Sequence, residues 1–148
     1  EVSAVADFKT RLAALPAFTL RGNASTSRLS LDDPAARQES PRHSANLGFD
    51  YEHAPWKLNV GGNLGYTSRF TREASATTQL TQGARSQLDL YAVKRLDRTL
   101  SLRLTIDNAT RAGSRNVSTE WSGGSVVKRE TAHSDGVRVV FLSLEGKL

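Results

Sequence analysis

The 148-residue sequence has no cysteine. Disulfide frameworks, thiolate metal sites and cysteine nucleophiles are excluded at once. Long apolar runs are missing too. None exceeds the four residues of Val139 to Leu142, whereas a membrane-spanning helix needs about 20 apolar residues in succession. Hydrophobic residues make up 38% of the chain and the mean hydropathy is −0.43, little for a well-filled soluble core. These shortages exclude a helical membrane protein. They say nothing against a transmembrane β-barrel, whose apolar residues alternate one for one with lumen residues. The net charge of +5 invites a nucleic-acid reading. Yet the twenty Lys and Arg are spread along the chain with never more than two in succession, and no nucleic-acid partner is expected. No signal peptide opens the chain, which starts at Glu1 partway into a strand pattern, as expected of a fragment or a processed chain.

Motifs of chemistry are equally scarce. His43, His53 and His133 are far apart and lack ligand spacing, and His43 and His53 fall at opposite ends of one strand. The many serines have no GxSxG elbow around them. Gly61, Gly62 and Gly65 sit inside a strand pattern, where glycine marks a bend or a close approach rather than a phosphate loop. No catalytic residue, cofactor or metal is expected, and the chain does not read as an enzyme.

What the sequence does have is alternation. From Trp56 to Phe70 the even positions Trp56, Leu58, Val60, Gly62, Leu64, Tyr66, Ser68 and Phe70 are mostly apolar, and the odd ones are Lys57, Asn59, Gly61, Asn63, Gly65, Thr67 and Arg69. Side chains of a strand point alternately to its two faces, so this is expected to be one long strand with an oily and a wet face. Its fifteen residues, at about 3.3 Å each, reach roughly 50 Å, enough to cross a hydrocarbon layer of about 30 Å when tilted. Trp56 at one end and Tyr66 and Phe70 at the other match the aromatic girdles of a spanning strand. The wet face then lines a lumen.

The same pattern recurs along the chain. Strands are expected over Val2 to Leu12, Phe18 to Leu31, Ala45 to Glu52, Ser86 to Leu96, Leu100 to Asp107 and Val139 to Leu148. Ala14 to Ala17, His53 to Pro55 and Asp97-Arg98 read as tight connections. Asp32 to Pro41, Thr71 to Arg85 and Asn108 to Asp135 read as long polar loops. In the last of these, strand-like segments flank Gly123-Gly124 and predict a hairpin over 116–131, standing clear of the wall. Short turns alternating with long loops are the asymmetry of outer-membrane barrels, the short side being periplasmic. Trp56 is then periplasmic, Tyr66 and Phe70 outer. The fold expected is an all-β, antiparallel transmembrane barrel portion of about seven up-and-down strands. Seven cannot close a bacterial barrel, which normally has an even number.

At this point the pieces PRHSANLGFDY, WKLNVGGNLGYT, RSQLDLYAVKRLDRTLSLRLTIDNAT and VFLSLEGKL resemble the C-terminal strands of TonB-dependent outer-membrane receptors. The resemblance spans nearly the whole chain and implies the last seven strands of a barrel of about 22. It implies a receptor of the Gram-negative outer membrane that takes up a scarce nutrient such as a ferric siderophore. It also implies partners: outer-membrane lipid, the receptor's own plug domain, the TonB complex and a small-molecule cargo. Residues 1–148 would be barrel only, with the plug and its TonB-contacting segment outside them. The family usually ends in an aromatic residue, where this sequence has Leu148.

Charges assigned to the lumen are Lys9, Arg11, Arg21, Asp50, Glu52, Arg69, Asp89, Arg103, Asp107, Glu145 and Lys147, a mixture of signs suited to salt bridges with a polar plug. Arg69, Arg72, Arg85, Arg111 and Arg115 fall near the outer mouth. One reading makes them a cargo-facing rim for an anion such as a ferric siderophore. The other makes them a solvated or lipopolysaccharide-facing rim. Two further architectures share the alternation: a small self-contained outer-membrane barrel, and a soluble lipocalin-like barrel with its apolar face inward.

Overall fold

The structure, a computed structural model, describes residues 2–12, 15–28 and 41–146. The strands are β1 (Val2–Leu12), β2 (Leu15–Arg28), β3 (His43–His53), β4 (Leu58–Thr67), β5 (Phe70–Ser75), β6 (Thr78–Gln82), β7 (Arg85–Arg95), β8 (Leu100–Asp107), β9 (Ser114–Ser122), β10 (Ser125–Ser134) and β11 (Val139–Gly146). They form two antiparallel sheets. A seven-stranded wall runs β1-β2-β3-β4-β7-β8-β11, and a four-stranded outer sheet runs β10-β9-β6-β5. The wall is thus the expected up-and-down meander, interrupted by two excursions that pair with each other.

Register carries each face intact across the wall. Tyr51, Val60, Ala92, Leu104 and Leu142 follow one another on the oily face. Asp50, Gly61, Tyr91, Thr105 and Phe141 do so on the other. A slip of one residue would exchange the faces, so the alternation excludes every odd shift of the pairing. Phe141 is the aromatic that the wet face of β11 carries among polar neighbours.

Nothing among the described residues packs against the oily face. Among the described residues Val117, in the outer sheet, is the one buried apolar side chain. Phe8, Leu64 and Leu142 are 50%, 40% and 68% exposed. A lipocalin-like barrel would enclose those side chains; this single-layered wall turns them outward, as a lipid-facing surface requires. No helix is long and apolar enough to cross a membrane among the described residues, which leaves crossing by strands untouched.

Several expectations need correction. Trp56 to Phe70 is not one strand. Ala54–Trp56 is a single 3-10 turn, Lys57 caps it at φ 50°, and β4 occupies only Leu58–Thr67. The strand stops at Ser68, which is buried and accepts a hydrogen bond from the His43 amide on its Oγ at 3.0 Å, while its own amide donates to His43 O at 2.9 Å. Thr71 to Arg85 is not a loop: it holds most of the β5–β6 hairpin, and β6 pairs with β9. Leu15 to Ala17 belong to β2, and the turn before β8 spans Asp97 to Thr99 rather than two residues. The hairpin around Gly123-Gly124 is present as β9–β10, longer than expected, with both glycines at positive φ. Ala14, the loop residues 32–40, the end of the second strand at 29–31 and the terminal Lys147 and Leu148 lie outside the described residues, as does the side chain of Arg11.

Candidate functional site

The lumen face carries a continuous polar chain across the wall. Asp50 of β3 accepts on Oδ2 from Arg21 Nη1 of β2, and on Oδ1 from the Tyr91 hydroxyl of β7. Between β3 and β7 runs β4, which presents Gly61 at that level. A Cβ on Gly61 would stand 2.6 Å from the Tyr91 hydroxyl and 2.6 Å from Phe49 O. The missing side chain is what lets the phenol lean across a whole strand to reach Asp50. Gly48 does the same for Arg21, whose Nε would lie 2.9 Å from a Cβ there. The chain continues to the far edge. The Arg103 guanidinium stands 5.9 Å from the Tyr91 ring centroid, within cation–π range. Arg103 Nε then donates to Glu145 Oε1 of β11 at 2.6 Å. Four charges expected to meet a plug therefore pair with one another across strands.

A second cluster lies higher on the same face. Arg85 Nη2 donates to Gln87 Oε1 at 2.7 Å, and Gln87 Nε2 to Asp89 Oδ1 at 2.9 Å. The Asn108 amide also donates to Asp89 Oδ1, at 2.8 Å. Asn108 is 6% exposed and sits at φ 53°, a conformation asparagine tolerates better than most residues. Its Oδ1 accepts from the Ala112 amide at 2.7 Å, and its Nδ2 donates to Ala112 O and Val137 O, both at 3.1 Å. One side chain thus ties together both legs of the β9–β10 ribbon. The legs touch where a Cβ on Gly113 would overlap the Ser134 carbonyl and one on Gly136 the Ala112 carbonyl.

The five rim arginines are all exposed but do not converge. Arg69 follows the break after β4, and Arg111 occupies a turn at φ 54°. Arg72 lies in a row with Leu80 and Ser118. Arg115 lies beside Gly83, whose amide donates to Arg115 O at 2.7 Å, and opposite His133. An offset of three residues along β9 puts Arg72 and Arg115 on opposite faces of the outer sheet. Arg85 is the one bonded into the lumen network. His43 and His53 close the two ends of β3, and His133 is on β10.

Sequence reasoning missed Tyr91, Gly61 and Asn108 as the pieces that join strands. A signal existed for each. Tyr91 is an aromatic on a wet face, Gly61 a glycine at the same level of the neighbouring strand, and Asn108 an asparagine directly after a strand end.

No curated protein and no solved structure matches the chain. The family model described as TonB dependent receptor-like, beta-barrel matches residues 1–109. That stretch covers β1 to β8; β11 lies beyond it and extends the wall by pairing with β8 from Val139 opposite Asp107 to Gly146 opposite Leu100. Such proteins are receptors and transporters of the Gram-negative outer membrane, not enzymes. With about three-quarters of its length inside that match, the chain belongs to the TonB-dependent receptor β-barrel family.

Proposed function

We propose that these residues are the C-terminal part of a larger receptor barrel that imports a scarce nutrient such as a ferric siderophore. Further strands of the same protein close the wall at β1 and β11, a plug domain sits against the lumen face, and the TonB complex supplies the energy. The observation that carries this reading is the single-layered wall itself. It has an unburied apolar face, a cross-bonded polar face and two open edges, a combination that a self-contained barrel of this chain would have to abolish. The Arg21–Asp50–Tyr91 and Arg103–Glu145 contacts give the plug a wall on which these four charges are already paired, so docking against them strands none of the four. Of the five rim arginines, Arg85 is the best placed for an anionic cargo. It opens β7 on the lumen-facing row, opposite Thr67.

The test is growth of a strain lacking its own ferric-siderophore receptors, supplied with the full-length protein and a panel of ferric hydroxamates and ferric catecholates under iron limitation. Rescue by one of them that disappears without TonB supports the reading, and Arg85→Ala should weaken that rescue more than Arg72→Ala does. A protein that fractionates with the outer membrane yet rescues on none of the panel refutes the siderophore assignment.

A further inference from the structure

At the periplasmic end of the oily face one short stretch departs from the aliphatic pattern. Leu58 of β4 lies opposite His53 of β3 on one side and Lys94 of β7 on the other, and Lys94 lies opposite Leu102 of β8. With strands about 4.8 Å apart, the imidazole and the lysine stem leave the sheet roughly 10 Å from each other on one face. The His53 and Trp56 rings meet at a tilt of 55° with centroids 4.8 Å apart, and the Tyr51 ring stands 6.2 Å from His53. Trp56 is 66% exposed. Leu96, two residues past Lys94, is exposed as well.

Two polar groups in this patch have no protein partner. His53 Nδ1 is buried and makes no hydrogen bond. Buried N–H groups are orphaned more rarely than buried acceptors, so the ring proton belongs on Nε2. That leaves the Nε2–H as a donor for something beyond the sheet. Lys94 is exposed and makes no ion pair or hydrogen bond among the described residues. A lysine on a hydrocarbon-facing row extends its stem along apolar neighbours until the ammonium reaches the headgroups. The turn below adds Arg98, which lines a depression with Asp97; Arg95 in that depression belongs to the lumen row opposite Ser101, and it shares a second hollow with Lys57 and Glu52. Asp97 is itself engaged, its Oδ1 accepting from the Thr99 and Leu100 amides at 2.7 and 2.8 Å.

A hydrogen-bond donor, an ammonium and an exposed indole at interface depth are the complement of a phosphodiester with a lipid tail. We propose that His53, Trp56 and Lys94 bind the phosphate headgroup of a phospholipid in the periplasmic leaflet, with anionic phospholipid preferred. The indole and Leu96 pack on the glycerol and upper chains, the Nε2–H and the ammonium hold the phosphate, and the positive charges of Lys94 and Arg98 favour an acidic headgroup. The proposal rests on the membrane orientation argued above.

The test is native mass spectrometry of the full-length protein in detergent, titrated with phosphatidylglycerol or phosphatidylcholine. The wild type should retain phosphatidylglycerol in preference. Lys94→Gln should weaken that lipid about fivefold, the effect of one basic residue at an anionic surface, about 1 kcal/mol. His53→Phe keeps an aromatic ring against Trp56 and removes the donor, and should weaken both lipids. Heat-modifiable gel mobility checks that both variants are folded. Unchanged lipid retention in both folded variants overturns the proposal. So does displacement of the lipid by millimolar inorganic phosphate, which would make this a plain anion site. A full-length protein that never inserts into vesicles overturns the membrane reading beneath it, a failure separable from loss of the lipid site alone.

Discussion

Gly61→Ala should destabilise the barrel, although strand propensity alone points the other way. A glycine inside a strand costs conformational entropy, and replacing it by alanine at an unstrained position gains roughly 0.5–1 kcal/mol. Here the added Cβ meets the Phe49 carbonyl and the Tyr91 ring, each at 2.6 Å. The ring can swing away, but only by releasing Asp50; the carbonyl belongs to the backbone and must be pushed. Losing a hydrogen bond to a carboxylate costs about 1.5–3 kcal/mol, with the lower end apt because Asp50 is partly exposed. Forcing the backbone adds about 1 kcal/mol or more. Less the roughly 0.5–1 kcal/mol that alanine gains, a net loss of about 1.5–2 kcal/mol is expected. Urea unfolding of the full-length protein in detergent, followed by heat-modifiable mobility, measures it. Tyr91→Phe supplies the control. In the wild-type background it should cost about 1.5 kcal/mol, and in the Gly61→Ala background below about 0.5, since the hydroxyl has already left Asp50. Equal costs in the two backgrounds, or a gain from Gly61→Ala, would refute the claim that glycine opens the route across β4.

Four further outcomes are expected. Leu64→Arg and Asn63→Arg change adjacent residues on opposite faces; the first should cost about 2–4 kcal/mol or block insertion, and the second should be tolerated, as folding yields into vesicles will show. The amides of Thr99 and Leu100 and the Thr99 hydroxyl hold the Asp97 carboxyl below its ordinary value of 3.8. Its stabilising contribution is therefore complete above that value and fades as pH falls through the lowered one, so the advantage over Asp97→Asn should be flat from neutral to mildly acidic pH and vanish in stronger acid. Asn108→Ala removes the bonds to Ala112 and Val137 and places alanine at positive φ, a loss of about 2 kcal/mol that limited proteolysis should reveal as faster cleavage near 111–113 and 134–138. Arg103→Ala should cost less than about 1 kcal/mol, because its pair with Glu145 is open to solvent.

The wall was legible in the sequence because its two faces meet different surroundings. Leu100, Leu102, Leu104 and Ile106 against Ser101, Arg103, Thr105 and Asp107 fixes which face each residue of β8 takes, and the observed pairing respects it. The β5–β6 hairpin was not legible for the converse reason. Thr71, Arg72, Glu73, Gln79, Thr81 and Gln82 are polar on both faces, so a period of two has no contrast. What makes β6 a strand is its ladder with β9, some 38 residues further on. The overlong Trp56–Phe70 strand failed differently. Its phase runs on through Trp56 and Ser68, while the backbone leaves the ladder at Lys57 and again at Ser68. The candidate rim suffered from the same blindness to distant pairing, since one list of arginines could not reveal that Arg72 and Arg115 belong to opposite faces.

The pairing of β6 with β9 has a consequence for how the receptor can be altered. Two excursions that leave the wall between different strand pairs are welded into one plate by five residue pairs from Thr78 opposite Glu120 to Gln82 opposite Asn116. They cannot open independently, and a cargo that displaces one hairpin drags the other. Nor can either be exchanged alone. A graft that replaces 68–84 without 108–138 would expose an unpaired edge on whichever hairpin stayed behind, so the smallest unit of this mouth that can change hands between receptors is both hairpins together.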